Sequence, residues 1–203
     1  LDWKLRAGQY KVMTIGRLPR GVGYDYAGVV EAVGEAVTRL KPGDAVVGIV
    51  NPVDSRNAAM AERVCATEAL ATVKPSSLSF ADGASLPGAG ITAVQALREA
   101  GLAAGQRVLV VGAAGGVGSF AVQYAKIHGA HVTAVASTGA QAFLAGLGPD
   151  RAIDYTREDW KALPERFDVV FDASGTSTFP ACRRLLAPGG AYVHSLPNAA
   201  LYC

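Results

Sequence analysis

Four glycines between residues 112 and 118 are the residues whose type and spacing point most directly to chemistry. They stand in Val108-Leu109-Val110-Val111-Gly112-Ala113-Ala114-Gly115-Gly116-Val117-Gly118. Before them lies a continuous apolar run, Arg107 to Val111, as expected of a strand buried on both faces. After them Val117, Phe120, Ala121, Tyr124 and Ala125 fall at i, i+3, i+4, i+7 and i+8, the pattern of an amphipathic helix. A tight strand-to-helix turn needs a residue without Cβ. An anionic diphosphate reaches the backbone only where no side chain intervenes, and a further glycine lets the helix close on the strand. The helix N-terminus adds N–H groups and the positive end of its dipole. Gly112, Gly115, Gly116 and Gly118 are therefore predicted to hold the pyrophosphate of a dinucleotide. Glycine clusters also occur in loops and at helix contacts, and the flanking strand and helix are what separate the two cases.

The second strand of such a fold ends about 20 residues beyond the glycines, and an Asp or Glu there reads the ribose hydroxyls of NAD. This chain has Ser137-Thr138-Gly139 instead, which favours NADPH, since hydroxyls donate to a 2′-phosphate that a carboxylate would repel. No Lys or Arg stands beside them in sequence to neutralise the phosphate. Tyr155, after the third strand, offers one more hydroxyl.

Other chemistries find less support. Cys65, Cys182 and Cys203 are far apart and odd in number, which argues against a disulfide framework or thiolate metal site and for a reducing compartment; a cytoplasmic location is expected. His128, His131 and His194 offer no metal-ligand spacing, so no metal is expected. A formal net charge of +2 with scattered basic residues argues against nucleic acid as a partner. No apolar run approaches the length of a bilayer span, and no membrane association is expected. With half of its residues hydrophobic and 18% charged, the chain can bury a substantial core.

The elements that must position the glycines divide the chain near residue 78. Before it the pattern is short strands with tight turns: a β-branched run from Tyr26 to Gly34, the turn Lys41-Pro42-Gly43-Asp44, a strand over 44–50, and shorter strands at 63–66 and 69–73. Beyond it come helices at 80–86 and 91–100, separated by Pro87-Gly88, and then regular alternation. Strands are predicted at 107–111, 131–136, 152–154, 167–171 and 191–195, and helices at 116–128, 139–146, 157–162 and 178–186, the last ending at Pro188-Gly189-Gly190. Repeated β-α units imply an α/β fold with a doubly wound parallel sheet of Rossmann type. The expected domains are 1–78 and 79–203.

Several segments, in order, resemble the zinc-independent medium-chain dehydrogenase/reductases, in particular the quinone oxidoreductase-like (zeta-crystallin-like) branch. They are Asp2-Trp3-Lys4-Leu5-Arg6-Ala7-Gly8, Gly23-Tyr24-Asp25-Tyr26-Ala27-Gly28-Val29-Val30, Lys41-Pro42-Gly43-Asp44, Ser85-Leu86-Pro87-Gly88-Ala89-Gly90-Ile91-Thr92-Ala93, Phe167-Asp168-Val169-Val170-Phe171-Asp172 and Leu186-Ala187-Pro188-Gly189-Gly190. The resemblance implies a partial GroES-like, β-rich substrate domain beside the Rossmann domain. It also implies reduction of a quinone or α,β-unsaturated carbonyl with NADPH, and assembly as a homodimer. It places Val117 with the four glycines at the pyrophosphate, Ser137 and Tyr155 at the adenosine end of the cofactor, Thr92 near the nicotinamide, and Ser174 and Gly175 near its ribose. Zinc members of the superfamily carry Gly-His-Glu where this chain has Gly23-Tyr24-Asp25. The branch supplies a basic or amide side chain just after the second strand, where this chain has Gly139-Ala140-Gln141. The resemblance further implies that the chain starts after the family's first strands and stops after the fifth Rossmann strand, leaving that domain incomplete at its C-terminus.

In such a reductase the protein positions the acceptor and stabilises the developing enolate oxygen. Tyr10 and Lys4 are the candidate catalytic groups, able to polarise the carbonyl or deliver a proton. Two other classes fit the same glycines: a nucleotide-binding sensor or structural protein without turnover, and an enoyl reductase acting on a carrier-bound acyl chain. Consumption of NADPH separates the first from a reductase. The second needs a docking surface for an acidic carrier, and no basic patch offers one.

Overall fold

The computed structural model describes Ala7 and residues 21–50 and 57–195. It divides into two compact units, Leu1–Gly88 and Ala89–Cys203.

In the first unit three antiparallel strands, β1 (Asp25–Val29), β2 (Ala45–Ile49) and β3 (Ala71–Val73), form a sheet in that order. Tyr26, Val46, Val50 and Ala71 are its buried centre. β1 is shorter than the run from Tyr26 to Gly34 predicts. Its pairing ends where the Val30 N–H donates to the Asp44 carbonyl and the Gly43 N–H returns to the Val30 carbonyl. Gly43 turns the chain there with φ +92°. The strand expected at 63–66 is absent among the described residues, and 68–70 is a 3-10 turn. Glu68 explains the latter: its carboxylate accepts the backbone N–H groups of Thr38, Arg39 and Leu40 and so ties the turn to the 38–40 loop. Those bonds, Arg39's first, hold its carboxyl below the usual carboxylate range.

Helix α1 (Phe80–Ser85) also belongs to this unit. Ser79 caps it, its hydroxyl accepting the Asp82 N–H at 3.0 Å. A Cβ on Gly83 would lie 2.8 Å from Val47, so the helix packs on β2 through a position with no side chain. The compact unit therefore runs ten residues past the division near residue 78. Helix α2 (Pro87–Glu99) begins at Pro87 rather than 91. Proline suits a first helical position because its missing N–H is one that the helix leaves unpaired. The next N–H, that of Gly88, donates to Asp25 Oδ1 at 2.5 Å.

The second unit is a five-stranded, all-parallel sheet of β4 (Arg107–Val111), β5 (His131–Ala136), β6 (Arg151–Asp154), β7 (Phe167–Asp172) and β8 (Leu186–His194), in the order β6-β5-β4-β7-β8. Successive residues of β4 point to opposite faces. Val108 and Val110 join Ala93 and Leu97 of α2, Ala121, Val122 and Ala125 of α3 (Gly116–Ile127) and Leu144 of α4 (Gln141–Leu147) in one core. Leu109 and Val111 join Ile153, Trp160, Leu163, Cys182 and Leu185 in the other. The sheet is thus covered on both sides, the doubly wound Rossmann arrangement.

Three departures fall in the last part of the chain. The helix expected at 157–162 is only a 3-10 turn over 160–162, and that at 178–186 is one short turn, α5 (Phe179–Cys182), followed by a 3-10 turn. β8 starts at Leu186, five residues before the expected 191, and carries Pro188-Gly189-Gly190 within it as an irregularity opposite Phe167 and Val169. A Cβ on Gly190 would come within 3.0 Å of the Ala187 and Phe167 carbonyls, and Gly189 has φ +76°. The glycines that read as a helix stop let the strand bulge instead.

Candidate functional site

The order β6-β5-β4 on one side and β7-β8 on the other makes the C-terminal ends of β4 and β7 the topological switch point, where open parallel sheets bind ligands. The glycine turn lies there. Gly112 leaves β4 at φ +75°, and a Cβ on it would stand 2.8 Å from the Ser174 Cβ after β7. A Cβ on Gly118 would meet the Gly112 carbonyl oxygen at 2.2 Å and the Ala113 Cα at 2.7 Å. Both glycines are required by the chain's own packing.

Gly115 and Gly116 differ. Both are exposed; a Cβ on Gly115 would be 3.3 Å from the Gly112 carbonyl oxygen, and one on Gly116 would make only ordinary contact with Ala89, at 3.6 Å. The Ser119 N–H donates to the Gly115 carbonyl in the first full turn of α3. The preceding N–H groups of Gly116, Val117 and Gly118 therefore have no acceptor within the helix. Exposed backbone without side chains coincides with a helix N-terminus, a cradle that fits a dinucleotide pyrophosphate.

Ser174 and Gly175 are brought to the same edge. Asp172, at the end of β7, is completely buried and builds their loop. Its Oδ1 accepts from the Ser174 N–H at 3.1 Å, the Ser174 hydroxyl at 2.6 Å and the Gly175 N–H at 2.9 Å, and its Oδ2 accepts the Ser177 N–H at 2.7 Å. Gly175 has φ +70°. Across the loop, the Tyr192 hydroxyl donates to the Ser177 carbonyl at 3.1 Å. Burial first, and then the Asp172 charge, hold that phenol well above its ordinary value. Thr92 is half-buried on α2, one turn beyond the Ala89 that faces Gly116.

At the other end of the turn, β5 and β6 finish side by side, pairing Ala136 with Asp154. Ser137 follows β5, and Tyr155, more than half exposed, donates its N–H to the Ala136 carbonyl at 3.1 Å. Gln141, in place of a basic residue, directs its amide N–H at the carbonyls of Ala136, Ser137 and Ile153, at 3.2, 3.4 and 3.2 Å. It shapes the chain beside Ser137. Thr138 corrects the expectation of free hydroxyl donors, because its hydroxyl donates to Asp154 Oδ2 at 2.6 Å.

Sequence reasoning missed Asp172 and Asp154. The signal for each was a carboxylate ending an apolar strand in a β-α unit. It also found no cation near Ser137, because Arg157 comes from the turn after the third strand. The Arg157 N–H donates to the Asp154 carbonyl at 3.0 Å, and its charge acts on the Asp154 carboxylate. Lys4 and Tyr10 lie outside the described residues. Among the described residues no three His, Cys, Asp or Glu side chains cluster to hold a metal, and no helix is long and apolar enough to cross a membrane.

A glycine cradle at the switch point of a doubly wound sheet, in a chain whose preceding residues form a β-rich unit, defines a dinucleotide-binding chain of two units. Residues 1–85 match the model of the alcohol dehydrogenase GroES-like domain, and 116–195 that of the zinc-binding dehydrogenase domain. The chain belongs to the medium-chain dehydrogenase/reductase family. It is 45% identical over 181 residues to a 2-methylene-furan-3-one reductase of Solanum lycopersicum, covering 86% of this chain and 46% of the relative. A chloroplastic NADPH-dependent alkenal/one oxidoreductase of Arabidopsis thaliana is 43% identical, covering 86% and 47%. Among solved structures, the quinone oxidoreductase of Coxiella burnetii superposes with a TM-score of 0.86 at 37% identity, covering 94% of this chain and 61% of that one. A mycobacterial protein solved with NADPH gives 0.79 at 31% identity, covering 94% and 60%. The chain thus spans about half the length of the curated relatives it matches. The cytoplasmic expectation is overturned by the plant relatives named chloroplastic. Cysteine spacing reports a reducing environment, which an organelle interior also provides, and does not distinguish compartments.

Proposed function

We propose that this chain is the cofactor-binding part of an NADPH-dependent reductase that transfers hydride to a quinone or an α,β-unsaturated carbonyl. The observation that carries the reading is the exposed backbone of Gly115 and Gly116, free of side chains, at the N-terminus of α3. The names of the quinone and alkenal/one oxidoreductase relatives support the acceptor class. When bound, NADPH supplies the hydride.

The residues divide the work. The N–H groups of Gly116, Val117 and Gly118 receive the pyrophosphate. Ser174 and Gly175, held by Asp172, meet the nicotinamide ribose, with Thr92 beside the ring. Ser137 and Tyr155 meet the adenosine end, and Arg157 is the basic side chain closest in the chain to Tyr155 for a 2′-phosphate. The second compact unit is the nucleotide domain and the first the substrate domain, the latter contributing Lys4 and Tyr10 to the acceptor carbonyl. The reaction is zinc-independent; Gly23-Tyr24-Asp25 in place of Gly-His-Glu supports this, because a tyrosine offers no imidazole ligand. A homodimer is part of the same proposal.

Titration of the chain with NADPH and NADH, followed by cofactor fluorescence, tests the site directly. Preferential NADPH binding is expected, and binding of neither would remove the reading. Acceptor chemistry is tested by NADPH consumption over a panel of quinones and enones. There, Tyr10→Phe is expected to lower turnover of an enone about 10- to 100-fold while NADPH affinity stays unchanged. Turnover equal to wild type would take Tyr10 out of the mechanism.

A further inference from the structure

The carboxylate of Asp154 sits where sequence reasoning finds none, beside Ser137 at the adenosine end. Dinucleotide folds usually place a discriminating acid at the end of the second strand. Here that strand ends in Ala136-Ser137, and Asp154 comes from the neighbouring strand β6, in register with Ala136. Its position is fixed from two sides. The Thr138 hydroxyl donates to Oδ2 at 2.6 Å; the Thr156 N–H and hydroxyl donate to Oδ1 at 2.9 and 2.7 Å. The two threonine hydroxyls also approach each other at 2.7 Å. Donation from Thr138, and then from Thr156, holds the carboxyl below the usual carboxylate range, so it is ionised at neutral pH. Two consequences follow for a nucleotide at Ser137. A fixed negative charge repels a 2′-phosphate, and the threonine hydroxyls that would have donated to that phosphate are directed into the carboxylate.

We propose that Asp154 is a selectivity-determining residue at the adenosine end, which opposes the 2′-phosphate and keeps the preference for NADPH over NADH smaller than the remaining residues would set. The proposal rests on the nucleotide-binding reading above. Ser137, Tyr155 and Arg157 favour the phosphorylated cofactor, Asp154 works against them, and the net preference is the difference.

The test is titration of the full chain and its Asp154→Asn variant with NADPH and with NADH at low ionic strength. Asparagine is nearly isosteric and keeps an acceptor for Thr156; it removes the charge together with the acceptor for the Thr138 hydroxyl. The ratio of NADH to NADPH dissociation constants is expected to rise about 10-fold, the effect of one unit charge several ångströms away at a partly screened surface. Thr138→Val breaks the same hydrogen bond and keeps the charge, and it should leave the ratio at or below the wild-type value. An unchanged ratio in Asp154→Asn, or equal weakening of both cofactors, would make Asp154 a strut between β5 and β6 and overturn the proposal. A rise in Thr138→Val as large as in Asp154→Asn would overturn it too, because the network rather than the charge would then set selectivity. Binding of neither cofactor to the wild-type chain, seen before any substitution, would instead remove the nucleotide reading itself.

Discussion

Gly118→Ala is expected to destabilise the nucleotide-binding unit by about 3 kcal/mol or more and to weaken NADPH binding on the order of 100-fold. The added methyl would stand 2.2 Å from the Gly112 carbonyl oxygen and 2.7 Å from the Ala113 Cα, both backbone atoms. No rotamer relieves it, since a Cβ has none. Relief requires α3 to move away from the end of β4 by more than about 1 Å, against a packing optimum near 3.5 Å. That movement carries the N–H groups of Gly116 and Val117 with it and separates Ala121, Val122 and Ala125 from Val108 and Val110. Urea unfolding and cofactor titration should therefore shift together.

Gly116→Ala is the informative contrast. Its methyl would meet only the Ala89 Cβ, at an ordinary 3.6 Å, and alanine is favoured over glycine in a helix by up to about 1 kcal/mol. Stability should hold or rise slightly while NADPH affinity falls at least ~10-fold, because the side chain occupies the anion's approach. Unchanged affinity in this variant would mean that the pyrophosphate does not cross Gly116. One glycine is needed by the fold and the other by the ligand, a distinction that four glycines in a row of letters do not carry.

The same limit governs what was legible elsewhere. The parallel sheet could be read because β4, β5 and β7 are buried on both faces, and continuous apolar runs such as Val108 to Val111 report that directly. Pro188-Gly189-Gly190 misled because a proline and two glycines have the same composition at a helix stop and in a strand bulge. The choice depends on the Ala187 and Phe167 carbonyls near which Gly190 passes, and the latter lies far away in sequence. The strand expected at 69–73 is shortened to Ala71–Val73 by a 3-10 turn that Glu68 anchors through bonds to residues 28 to 30 positions distant. At the site, residues contiguous in sequence could be read: the glycine turn, and Ser137 at a fixed interval beyond it. Asp154 and Arg157 could not, because their relation to Ser137 exists only once β6 has paired with β5.

Asp172 is the second position where a single substitution should be severe. Its carboxylate is fully buried and receives three backbone N–H groups and one hydroxyl from Ser174, Gly175 and Ser177. Asp172→Asn changes almost no volume but turns an acceptor-only group into one that must present an N–H₂ to this ring of donors. If the amide oxygen takes the Ser174 and Gly175 side, the nitrogen faces the Ser177 N–H; the reverse orientation confronts three donors. Either way a buried backbone donor loses its partner, and a charge-assisted set of bonds becomes neutral. A loss of about 2–4 kcal/mol is expected. Gly175 stands at φ +70° because those bonds hold it there, so the loop should relax away from Gly112 when they are lost. Cofactor affinity should fall at least ~10-fold, with NADPH and NADH affected alike, since the nicotinamide ribose is common to both. That symmetry separates Asp172 from Asp154, whose substitution should move the two cofactors apart. Denaturation midpoints and paired titrations of the two variants measure the difference, and a selectivity change in Asp172→Asn would show that the loop after β7 influences the adenosine end as well.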